Sequence, residues 1–154
     1  MARRTRTRRA NAEITEVAFL PELLANLREL AQHEVHIGME GDAELAMIAG
    51  VHEYGSRKMD IPARSFIGSG KKKAAPQIGK VVRAGLTDVA HGRRSVTSFL
   101  NDVGETGKIR VIKNFDRIRT PSLSPIYARR KSGRKILVQE QNLRDSIKYV
   151  IVQK

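Results

Sequence analysis

The sequence contains no cysteine. That excludes disulfides and thiolate metal sites, and it fits a reducing cytoplasm. Aromatic residues are scarce: four Phe, three Tyr and no Trp in 154 residues. The core must therefore be mostly aliphatic, and few rings are on hand to stack on nucleobases. No apolar run approaches the ~20 residues that a membrane-spanning helix needs, so no membrane contact is expected. The basic N-terminus leads into no apolar segment, which argues against a secretory signal.

Negative charge is also in short supply. There are 16 acidic residues against 29 basic ones, a net charge of +13. The imbalance is uneven along the chain. Residues 1–10 hold five Arg and no acid. Residues 11–70 hold 4 basic and 10 acidic residues, residues 71–107 hold 7 and 3, and residues 108–135 hold 10 and 1. A basic chain often meets nucleic acid, because neutralising phosphates releases counterions. A chain with an acidic half and a basic half can instead pair head to tail with its own copies, and such contacts close into rings when the rotation allows. The charges can also simply be solvated. Net charge alone leaves all three open.

The ordered part of the sequence begins after the arm. "MARRTRTRRA" has nothing to bury and is expected to be disordered over residues 1–11. One domain is expected over 12–154. Glu13 to Phe19 is ambiguous and could be a short strand. Leu20 to Gln32 reads as a helix, with Pro21 in its first turn and an apolar stripe through Leu23, Leu27 and Leu30. "HEVHIGME" then alternates with period two, placing Val35, Ile37 and Met39 on one face of a strand. Gly41-Asp42 is a turn, with Asp42 placed to cap the next helix. That helix spans about Ala43 to Tyr54, and Gly55 supplies the left-handed stop.

"SRKMD" reads as a loop and "IPARSFI" as extended chain, because Pro62 disfavours the helical region for Ile61. "GSGKKKAA" reads as a mobile basic link, with Pro76 opening a further helix. "HGRR" breaks that helix, and Ser95 caps a longer one carrying Val96, Phe99, Leu100, Val103 and Val111. Gly104 and Gly107 each weaken it by roughly 1 kcal/mol relative to Ala, which a close crossing would justify. Ser124-Pro125 signals a short helix ending near Gly133, with "RRKSGRK" mobile. Leu143 to Ile147 suggests one helical turn and Tyr149 to Val152 a strand. Scattered strands without a βαβ rhythm imply an α+β fold, a small antiparallel sheet packed with several helices and preceded by a flexible basic arm.

Catalytic patterns are hard to find. "GSGKKK" invites a phosphate-binding loop, but Ser65 stands for its first Gly and Lys72 for its Ser/Thr. His33 and His36 are three apart on a strand and point to opposite faces. His52-Glu53 lacks the second His of a zinc-protease helix. No cofactor, metal ligand set or catalytic residue is expected, and no enzyme. A nucleic-acid module is missing too, although Lys108 to Lys135 could track phosphates.

Three phrases in order carry a resemblance. A strand ending "HIGM" and a helix "AELAMIAGVHEYG" lead to "IPARSFI", then to "LSPIYARRKSGRKILV" and "NLRDSIKYVIV". This resembles the tail-completion, or neck, proteins of tailed bacteriophages, within the broad virion-morphogenesis family. There the helix typically ends in His-Glu-Phe/Tyr-Gly, followed by Ile-Pro-Ala-Arg-Pro-Phe. The C-terminus typically reads Leu-Ser-Pro, a basic stretch, then Leu-Val-x-Thr-Gly-x-Leu-x-x-Ser-Ile. The resemblance covers about residues 20–153. Ser65 departs from the usual Pro, and Gln139-Glu140-Gln141 departs from Thr-Gly.

The resemblance implies a structural virion protein that completes the tail and joins it to the head connector. It implies a six-fold homo-oligomeric ring contacting connector or adaptor and tail-tube or terminator proteins, in the virion and, during assembly, in the host cytoplasm. Interface residues expected on this basis are Glu53, Tyr54, Arg64, Phe66, Arg129, Arg130, Lys131, Arg134 and Lys135. Phe66 is expected to anchor in the core and Arg64 to pair with a carboxylate such as Glu53, within or between subunits. Arg3, Arg4, Arg6, Arg8 and Arg9 are placed to reach DNA in the lumen or an acidic neighbour. The alternative is a small nucleic-acid-binding protein using residues 1–10 and 108–135.

Overall fold

A computed structural model describes residues 20–40, 43–130, 137 and 142–154. The elements run α1 (Leu20–Ala31), β1 (His33–Met39), α2 (Ala43–Tyr54), α3 (Ile67–Ala90), α4 (Val96–Arg117), α5 (Pro125–Arg130), α6 (Asn142–Asp145) and β2 (Ile147–Gln153). The fold is α+β, with a small antiparallel sheet packed against helices. β1 and β2 pair from His33↔Gln153 to Met39↔Ile147. The arm at 1–11, the segment 13–19, the Asp42 cap and the "RRKSGRK" residues from Lys131 onward lie outside the described residues.

α4 is the spine. Val35, Ile37, Met39 and Ile151 point from the sheet toward it, as the period-two alternation requires. One core cluster gathers Phe66, Val111, Phe115, Leu137, Leu143 and Ile147. A second gathers Val89, Val96, Phe99 and Leu100, with Leu30 of α1 and Val35 of β1 against it. Phe66 is fully buried and meets Phe115 edge-on, ring centroids 5.2 Å apart. Burying such a ring stabilises the fold by about 1.5–3 kcal/mol. Phe66 is thus the core anchor that the sequence suggested.

Glycines let the spine sit close to its neighbours. A Cβ on Gly104 would collide with the Tyr149 ring of β2, and one on Gly107 with Ile37 of β1. A Cβ on Gly70 would lie 3.1 Å from the Val111 Cα. Ser95 caps α4 by accepting from the Ser98 amide at 3.2 Å.

Three local expectations are corrected. "GSGKKKAA" is no link: it forms the opening turns of α3, a 24-residue helix. Pro76 does not open a helix but lies inside that one. An interior Pro costs about 3 kcal/mol, and glycines add to that. Tertiary contacts offset it: Gly70 and Ala74 are buried, with Gly70 against Val111 of α4, and the start of α3 is capped from outside. β2 is also longer than expected at both ends, because the β1 ladder runs its full length. α5 is described as far as Arg130, and the expected helix end near Gly133 lies outside the described residues.

Candidate functional site

The phrases that carry the resemblance meet at one place. α2 ends at Tyr54, and Gly55 closes it with φ +77°, its amide donating to Val51 O at 2.8 Å. A Cβ there would lie 2.8 Å from Ile61 O and 2.9 Å from Ala63 N, so only Gly fits. The chain loops out and returns through a two-way backbone pair, Ser56 with Ile61. Arg64 N then donates to His52 O at 2.6 Å, seating the returning segment on the end of α2.

From that seat, Glu53 caps α3. Its carboxylate accepts from the Ser65 hydroxyl at 2.5 Å and from the amides of Phe66, Ile67 and Gly68 at 2.8, 2.9 and 2.9 Å. These are opening amides of α3, which have no partner within the helix, and a negative charge there also suits the helix dipole. Burial alone would raise the Glu53 pKa. The Ser65 hydroxyl and the three amides outweigh it and hold the carboxyl below its usual value. The amides that a phosphate loop would offer are thus already taken by the protein's own carboxylate.

Arg64 does not pair with Glu53 within the chain. Its side chain is only 5% exposed, and it reaches the other way. Nε donates to Pro121 O and Nη2 to Ser122 O, both at 2.9 Å. The planar fork grips two consecutive carbonyls of the segment that leads into α5. The physical reason is competition. Four donors already saturate Glu53, whereas the 121–122 carbonyls have no strand or helix to satisfy them.

The result is an open depression of about 650 Å³, lined by Tyr54, Gly55, Arg57, Asp60 to Arg64 and Ser122 to Pro125. Of its lining, Tyr54 is 84% exposed, and Met59 and Ile126, next in sequence to the lining residues Asp60 and Pro125, are 59% and 70% exposed. Arg129 and Arg130 are exposed in the last turn of α5, one turn from this rim. Of the expected interface residues, Glu53, Tyr54 and Arg64 come together here, and Phe66 is buried behind them. Lys131, Arg134, Lys135 and the arm residues Arg3, Arg4, Arg6, Arg8 and Arg9 lie outside the described residues.

Two residues of this construction were not singled out from the sequence. Ser65 is one, marked in the sequence only as a departure from the phosphate-loop Gly and from the family's Pro. It links Glu53 to Ser69, whose amide it accepts at 3.2 Å. Asn114 is the other. It is 3% exposed, donates to Phe66 O and Ser69 Oγ, and accepts from Lys73 Nζ at 2.6 Å. Its signal was available: an amide flanked by Val111 and Phe115 on a buried helix face needs partners.

Among the described residues, no group of three or more His, Asp or Glu is arranged to hold a metal ion, and no helix is long and apolar enough to cross a membrane. The chain matches no family model, no curated protein and no solved structure.

Proposed function

We propose that this chain is a structural virion protein of a tailed bacteriophage that completes the tail and joins it to the head connector, acting by assembly and not by catalysis. The observation that carries the reading is convergence. "HEYG", "IPARSFI" and "LSPIYA", the phrases of the resemblance, lie apart in sequence yet line or brace one solvent-facing depression. Its walls are fixed by Glu53, Gly55 and Arg64, while Tyr54 in its lining and Met59 and Ile126, sequence neighbours of the lining residues Asp60 and Pro125, are left bare. Exposed apolar residues gathered on a rigid frame suit a contact surface better than a solvated loop.

The sheet adds to this. Among the described residues it has two strands, so each strand has an outer edge without a partner strand. Such edges invite pairing with another chain. The homo-oligomer is a six-fold ring, with connector or adaptor and tail-tube or terminator proteins as further neighbours. The acidic 11–70 region of one copy faces the basic 108–135 region of the next.

Light scattering across protein concentration, at low and at molar salt, tests the reading. Growth toward a closed species at low salt, reversed by salt, is expected from a charged seam. A strict monomer under every condition would count against assembly by this chain alone.

A further inference from the structure

We propose that the outer face of the α3–α4 hairpin binds the phosphate backbone of duplex DNA without reading its sequence. The face consists of two ridges. On α3, Lys73 and Lys80 are seven residues apart, with Gln77 between them. On α4, Arg110, Lys113 and Arg117 recur at i, i+3 and i+7, a ridge that Thr106 continues. Lys73 reaches Asn114 of α4 at 2.6 Å, so the α3 ridge runs along the crossing. α1 and the sheet pack elsewhere, through Leu30, Val35, Ile37 and Tyr149. Lys73, Lys80, Lys113 and Arg117 are exposed, and Arg110 is half-exposed.

No carboxylate among the described residues answers these five cations. The two helices hold four acidic residues, and each is engaged by another cation: Asp88 by Arg93, Asp102 by Arg94, Glu105 by Lys108 and Asp116 by Arg144. The fold gains nothing from the arrangement. Like charges at i, i+3 and i, i+4, as in Arg110–Lys113–Arg117, destabilise a helix. Lys71 to Lys73 sit in the second turn of α3, near the positive end of its dipole. A polyanion along the face removes both penalties.

The chemistry selects the polyanion. The two ridges carry no aromatic ring on which single-stranded bases would stack. The ridges themselves carry no apolar side chain, and exposed Ile109 beside the α4 ridge is a single residue, too little to enter a membrane or form the dry centre of a protein interface. Rigid rows of Lys and Arg about 10 Å long instead suit the regular phosphates of a duplex. Arg110, Lys113 and Arg117 belong to the basic 108–135 region that the ring would set against the next copy, so the DNA-binding face is the one that the monomer presents.

The test is fluorescence anisotropy of a short mixed-sequence duplex with the full chain, across a salt series. One variant combines Lys80→Gln, Arg110→Gln, Lys113→Gln and Arg117→Gln. Lys73 is kept because it holds Asn114. A control of equal charge change combines Arg3→Gln, Arg4→Gln, Arg6→Gln and Arg8→Gln in the arm. The face variant should lose about 3–4 from the slope of log K against log salt, given about 0.9 per phosphate contact. The arm variant should keep most of the slope. The face variant should also melt no lower than the parent, so the loss is not unfolding. Equal losses in both variants would overturn the proposal, because total charge would then suffice. So would an unchanged face variant, or absence of salt-dependent binding by the parent. A face variant that binds DNA normally but no longer self-associates would make this face a protein seam, and would overturn it too.

Discussion

Ser65 donates a 2.5 Å hydrogen bond to the Glu53 carboxylate across 12 residues of chain. That contact, with the three amides beside it, joins the end of α2 to the start of α3. It also gives the His-Glu-Tyr-Gly and Ile-Pro-Ala-Arg-Ser-Phe phrases their physical roles. Glu53 caps, Gly55 turns, Arg64 clamps the 121–122 segment and Phe66 anchors.

Glu53→Gln should lower stability at neutral pH by about 1–3 kcal/mol, because a neutral amide cannot serve four donors as a carboxylate does. The pH dependence has a definite sign. The folded pKa lies below the usual 4.5, so the carboxylate's contribution is complete above that value. It is lost as pH falls through the lowered folded pKa. Thermal melts of parent and variant should therefore converge on acidification. A gap that stays constant into acid would show that the charge plays no part. Ser65→Ala should cost less, about 1 kcal/mol, since the three amides remain.

Arg64→Lys keeps the charge but loses the fork. An ammonium cannot span two carbonyls as the guanidinium does, so a loss of about 1–3 kcal/mol is expected. Hydrogen exchange at residues 122–124 should rise, while exchange in α4 should not. Unchanged exchange in that segment would remove Arg64 as its clamp. If the depression is a contact surface, the same variant should also weaken self-association.

Gly104→Ala and Gly107→Ala should separate. Both gain roughly 1 kcal/mol of helix propensity. At Gly104 the new methyl meets the Tyr149 ring, whose hydroxyl is tied to Asn101 at 3.0 Å, so overpacking by about 1–3 kcal/mol should win. At Gly107 it meets the tip of the Ile37 side chain, which can rotate away. Chemical denaturation should find Gly104→Ala the more damaging. The reverse order would contradict the packing described here.

Much of the fold was legible in the sequence because its signals are local. The period-two run at 33–39, the apolar stripe of α4, the Ser95 cap and the Gly55 stop each depend on neighbours a few residues away. The start of α3 was not legible for the opposite reason. Gly68, Gly70, three lysines and Pro76 all argue against a helix locally, and what overrides them is remote: Glu53 at the N-terminus and Val111 under Gly70. The site was half legible. Arg64 was marked as a residue with a partner, but backbone carbonyls 57 and 58 residues away leave no trace in a sequence.

The most direct measurement is native mass spectrometry of the full chain, taken from low ionic strength at rising concentration. Assembly through the bare rim and the charged halves predicts a discrete complex of six chains that grows with concentration at the expense of the monomer. A chain that stays monomeric at every concentration, or that forms an open series of sizes with no closed species, would contradict the ring.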